Sequence, residues 1–92
     1  MAVTWAYGSA VVDDPDLAAA IEGRPYWAPV GVRAVRYAPP GAELTVLVQP
    51  VRMPRHRERY TVSVQRNGVA VHARPAHSAA EAIAYAERAR LD

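Results

Sequence analysis

The densest chemistry in the chain lies in residues 52–59, Arg52-Met53-Pro54-Arg55-His56-Arg57-Glu58-Arg59. Four guanidinium groups and an imidazole within eight residues concentrate positive potential. Pro54 keeps a regular helix or inner strand from forming there, so the run is predicted to be an exposed loop. Guanidinium groups bind phosphates and carboxylates bidentately, and the chemistry on offer is recognition of an anionic surface. Arg66 and Arg74, farther along, would extend the loop into a stripe. Two partners fit it: a nucleic acid, through its phosphates, or an acidic protein. The interleaved stacking aromatics of single-strand binders are missing, since only Tyr60 is close to the run and its strand parity turns it inward.

Other candidate chemistry has a simpler structural explanation. Ser78 beside His77 invites comparison with a nucleophile and base, but Ser78-Ala-Ala-Glu81 reads as a helix capping box. Ser9 follows Gly8 without a Gly-x-Ser-x-Gly context. Asp13, Asp14 and Asp16 surround Pro15, the signature of a helix start rather than an acid cluster. His56, His72 and His77 lack the tight spacing and nearby carboxylates of a zinc site. No Gly-rich phosphate loop is present. The expectation is therefore a chain that is not an enzyme, with no catalytic set, metal or cofactor. Tyr26 and Trp27, flanked by Pro25 and Pro29, offer a second surface, because Trp, Tyr and Arg dominate binding hot spots.

The elements that would position these residues are best marked at the C-terminal end. Tyr60, Val62 and Val64 alternate with Thr61, Ser63 and Gln65, the pattern of a half-buried strand. Asn67-Gly68 then separates this run from Val69–Arg74, and a type I′ turn there makes a hairpin. That turn predicts Arg66 opposite Val69, Val64 opposite Val71 and Val62 opposite Ala73. Ser63 would then face His72, and Thr61 would face Arg74, on the polar side. After the capping box, a helix from about Ala79 to Arg90 puts Ala79, Ala82, Ile83, Ala86 and Ala89 on one stripe, with Glu81 and Arg88 turned away. This stripe of small residues is expected to lie on the apolar side of the hairpin.

The unit from Arg59 to Leu91 resembles the C-terminal half of a double-stranded RNA-binding domain, with Ser78, Glu81, Ala82 and Ala86 in matching places. It departs where that family opens its helix with paired lysines, since Ala79 and Ala80 stand there, and the family's long N-terminal helix is replaced by a short acidic one. The same hairpin followed by Ser-x-x-Glu-Ala is also similar to small antitoxin domains of the HicB type. The first likeness implies RNA contact, and the second implies a protein inhibitor.

Val3, Trp5 and Tyr7 alternate as a short strand. Asp13–Asp16 starts a helix that runs through Leu17 and Ile21 to Glu22 and stops at Gly23. Residues Arg24–Pro29 are predicted to be a stiff connector. Val30–Tyr37 reads as one strand whose parity slips, either because both faces are buried or through a bulge near Ala34. Pro39-Pro40-Gly41-Ala42 is a turn, and Leu44–Gln49 is a strand that Pro50 either closes or places at an edge. Such an edge would allow a sheet-extended homodimer.

Composition bounds the rest. Ninety-two residues predict a single domain spanning 1–92. The order of elements favours an α+β fold, with an antiparallel sheet of four to five strands, a C-terminal helix on one face and a short N-terminal helix. The chain has no Cys, which excludes disulfides and thiolate sites. No signal peptide is recognisable and no apolar run reaches a membrane span of about 18 residues, so a cytoplasmic protein with no membrane partner is expected. All eleven basic residues are Arg; residues 1–51 hold three against five acidic residues, and residues 52–92 hold eight against four. The molecule is polarised. The expected function is non-catalytic macromolecular binding through Arg52, Arg55, His56, Arg57, Arg59, Arg66 and Arg74, with Tyr26 and Trp27 as a second surface. A protein-interaction module of the inhibitor or antitoxin kind stands first, and direct RNA or DNA binding is the alternative.

Overall fold

The computed structural model describes residues 13–51 and 59–89. The predicted strand through Val3, Trp5 and Tyr7 and the loop carrying Arg52, Arg55, His56 and Arg57 lie outside the described residues. The elements are α1 (Pro15–Ile21), β1 (Trp27–Val30), β2 (Ala34–Tyr37), β3 (Leu44–Pro50), β4 (Tyr60–Arg66), β5 (Val69–Ala76) and α2 (Ala79–Glu87). The strands form one antiparallel sheet in chain order, β1-β2-β3-β4-β5. The fold is α+β, as the pattern of elements predicts. Among the described residues, no helix is long and apolar enough to cross a membrane.

At the start of α1, Asp14 is the N-cap and Pro15 the first helical residue; Asp14 Oδ1 accepts the Leu17 backbone N–H at 3.1 Å. The helix ends at Glu22, followed by Gly23 at φ +76°. Seven residues cannot hold a helix alone, and buried Leu17 anchors it in the core.

The segment predicted as a connector and a single strand is a hairpin. Trp27–Val30 pairs with Ala34–Tyr37, and Val30 lies opposite Ala34. The parity slips because the chain turns through residues 31–33, with Gly31 at φ +64°, rather than bulging near Ala34. Pro29 is tolerated because β1 is an edge strand among the described residues. β3, by contrast, lies between β2 and β4, and Pro50 closes its ladder opposite Tyr60. The expected exposed edge ending at Pro50 is therefore not there; among the described residues, the edges are β1 and β5.

Asn67 at φ +54° and Gly68 at φ +81° make the predicted reversal, and Arg66 faces Val69 as expected. Beyond that, the register departs from expectation. A bulge between Val64 and Gln65 leaves Val71 as an extra residue, so Val64 faces His72 and Val62 faces Arg74. Ser63 then faces Ala73, and Thr61 faces Pro75. One inserted residue has exchanged the two faces of β5.

Both helices pack on one face of the sheet. Ala79, Ala82, Ile83 and Ala86 of α2 are buried against Val46, Val48, Tyr60, Val62 and Val64, with Leu17 of α1 and Val35 of β2 in the same cluster. Small side chains let the α2 backbone come close to the sheet. The helix begins as predicted, with Ser78 Oγ accepting the Glu81 N–H at 3.1 Å. Glu81 Oε1 accepts from the backbone N–H of His77, one residue upstream of the cap, at 2.6 Å. The helical residues end at Glu87, short of the predicted Arg90, which is outside the described residues.

Candidate anion-binding groove

The exchange of faces on β5 decides where its cations go. His72 and Arg74, expected on the polar outer face, instead sit on the face that carries the helices. There Arg74 meets Tyr85 of α2, with its guanidinium carbon 3.7 Å from the ring centroid. A guanidinium stacked at this distance is held by the ring's negative face while its N–H groups remain available at the edges. Arg88, one turn beyond Tyr85, folds back so that Nε donates to the Ala84 carbonyl at 3.3 Å. His72, Arg74, Tyr85 and Arg88 line a groove of about 360 Å³ with Val62 and Val64 at its base.

Tyr85 is fixed from its other end. Its hydroxyl donates to Glu81 Oε2 at 3.1 Å. The Glu81 carboxyl is held below its ordinary value of 4.5, first by the His77 backbone N–H it accepts and further by the Tyr85 hydroxyl. A chain of contacts thus runs from the helix cap through Tyr85 to Arg74. It can present two guanidinium groups and an imidazole to an anionic group while the aliphatic floor meets an apolar neighbour.

The other predicted site residues among those described are dispersed. Arg59 is exposed at the start of β4, its N–H donating to the Ala76 carbonyl at 2.9 Å. Arg66 is at the opposite end of the strand, roughly 23 Å away at ~3.3 Å per residue. Arg66 Nη2 is 3.7 Å from Glu43 Oε2, an exposed pair worth little. The aromatic pair separates as well. Trp27 is half-buried, with its ring 5.0 Å from that of Tyr37, and its Nε1–H donates to Glu87 Oε2 at 3.0 Å. Glu87 Oε1 accepts from Arg24 at 2.8 Å. Trp27 is thereby a structural residue that ties β1 to α2. Tyr26 is 53% exposed at φ +71°, a conformation rare for a residue with a side chain. It stands beside β1, about 19 Å across the sheet from β5 at ~4.8 Å per strand. Tyr26 and Arg74 therefore lie at opposite sides of the described sheet.

The acidic residues around Pro15 have structural partners too. Asp14 uses Oδ1 for the helix cap and accepts the Tyr60 hydroxyl on Oδ2 at 2.9 Å. Burial first, and this carboxylate second, push Tyr60 up to about 12.

His72, Tyr85 and Arg88 were not selected by the sequence. His72 was assigned to the opposite face by the regular register, and nothing in Val69-Ala-Val-His-Ala-Arg74 marks Val71 as the residue left over. The helix did carry a signal: Glu81, Tyr85 and Arg88 fall at i, i+4 and i+7, a polar stripe flanking the buried one. Comparison of the chain with protein families, curated proteins and solved structures finds no match.

Proposed function

We propose that this protein is a non-catalytic interaction module, of the inhibitor or antitoxin kind, that binds an acidic protein partner through the groove between β5 and α2. The observation that carries the reading is the gathering of Arg74 and His72 from the sheet with Arg88 from the helix around one Tyr-stacked guanidinium. Converging cations over an aliphatic base suit carboxylates carried on an apolar backbone segment. Direct nucleic-acid binding is the competing reading. It is less favoured because Arg74 covers a face of Tyr85, the groove's one phenol ring, which a base would need for stacking.

The test is fluorescence anisotropy with a labelled glutamate-rich peptide, a labelled single-stranded RNA and a labelled DNA duplex, at 50 and 200 mM salt. The expected result is peptide binding that weakens about tenfold or more in Arg74→Glu and Arg88→Glu, the scale of losing charged pairs at a partly desolvated contact. A steep salt dependence for RNA or DNA with no peptide binding would replace this reading with the nucleic-acid one. Absence of any association at 50 mM salt would overturn both.

A further inference from the structure

We infer that β5 is the docking edge for an extended acidic segment of a partner protein, which adds to the described sheet beyond β5. The inference rests on the acidic partner proposed above and specifies how that partner is held. β5 is eight residues long and every residue from Val69 to Pro75 is exposed, including Val69 at 64% and Val71 at 48%. The opposite edge, β1, has four residues, carries Pro29 within them and is tied down through Trp27, whereas the proline of β5, Pro75, lies next to its end and leaves Val69–Arg74 uninterrupted. Of the two edges, β5 has the length and freedom to accept a strand.

The bulge then determines which strand fits. A chain laid along β5 projects alternate side chains to the helix face, about 5 Å from their cross-strand neighbours. On that face the neighbours are His72 and Arg74, with Arg88 above them on α2. Carboxylates at every second position of the incoming strand would meet these cations in turn. The same charges select against a second copy of this chain. Antiparallel pairing of two β5 strands about Arg74 would set the two guanidiniums directly opposite each other, and like charges so placed oppose pairing. An inward-directed guanidinium on an edge thus disfavours that self-pairing while favouring a strand of opposite sign.

Two labelled ten-residue peptides of identical composition test the inference. One alternates Glu with Val or Thr, and the other groups its Glu residues at one end. Affinity is read by anisotropy, and amide hydrogen exchange of the full-length protein is followed with and without saturating peptide. The alternating peptide is expected to bind roughly threefold to tenfold tighter, the scale of two or three opposite-charge cross-strand pairs. It should also slow exchange within residues 69–76. Arg74→Glu should abolish the preference, and Tyr26→Ala at the far edge should leave it intact. If both peptides bind alike and exchange in β5 is unchanged, strand addition is refuted while an acidic partner stands. If neither peptide binds, the acidic-partner reading falls with it. If β5 becomes protected with rising protein concentration and no peptide, a second copy occupies the edge and the inference is overturned.

Discussion

Replacing Tyr60 with Phe removes a single hydroxyl from the centre of the molecule. Tyr60 is 1% exposed and donates to Asp14 Oδ2 at 2.9 Å, joining β4 to the cap of α1. A hydrogen bond to a charged acceptor contributes about 1.5–3 kcal/mol net. Tyr60→Phe is therefore expected to lower stability by about 2 kcal/mol at neutral pH, or roughly 8–16 °C in Tm for a domain of this length. Alkaline pH tests the protonated hydroxyl directly, which burial first and the Asp14 carboxylate second both favour. The folded state raises the tyrosine from 10.0 to about 12, so it holds the proton that the unfolded chain releases first. The stabilisation is complete below pH 10 and is lost as pH rises toward 12. That interval corresponds to roughly 2.7 kcal/mol, of which about half is gone by pH 11. Urea unfolding of both proteins at pH 7, 9 and 11 measures the gap between them directly. The gap should be constant from pH 7 to 9 and shrink by about 1.4 kcal/mol at pH 11. A gap that stays the same at all three values would refute the assignment of the bond.

The remaining predictions concern the turn and the two ends of α2. Gly68→Ala should destabilise by ~1–2 kcal/mol in urea unfolding, entirely through the left-handed backbone at φ +81°, since an added Cβ meets nothing within 4 Å. Glu87→Ala should cost about 1–2 kcal/mol in thermal melts by leaving the half-buried Trp27 N–H without its acceptor. Glu87→Gln should cost less than half of that, because the amide oxygen still accepts from Trp27. The depressed Glu81 carboxyl stabilises the fold above pH 4.5 and stops doing so as pH falls through its folded value. A Tm profile from pH 6 to 3 should therefore drop more steeply in the wild type than in Glu81→Gln.

What could be read in the sequence was local. Asp14-Pro15, Asn67-Gly68 and Ser78-x-x-Glu81 each act within four residues, through a cap or a positive φ, and each is found where expected. The alternation of β3 and β4 likewise identified the buried valines, because only one face of those strands meets the helices. Features that depend on neighbours were not legible. Gly31 turns the chain between β1 and β2, but its turn is recognisable only once the two short strands pair. Pro50 suggested an edge, and strand order instead places it at the end of the central strand. The site suffered most, since the extra residue at Val71 moved His72 and Arg74 onto the helix face. Arg59 and Arg66 looked contiguous with them in sequence and are separated by the length of β4.

The order of the sheet carries a consequence for how the molecule assembles. Every strand hydrogen-bonds to its neighbour in the chain, so each pairing closes a local loop at small entropic expense. Side-chain bonds between distant parts of the chain include Asp14 with Tyr60, 46 positions apart, and Arg24 and Trp27 with Glu87, 63 and 60 apart. The hairpins should zip first and rapidly, as local topology favours. The two helices then meet late, and one α2 carboxylate clasps both Arg24 and Trp27, which follow the first helix in the chain. Loss of the Glu87 contacts would loosen α2 and the start of the β1 hairpin together, so these two parts should open as a single cooperative unit.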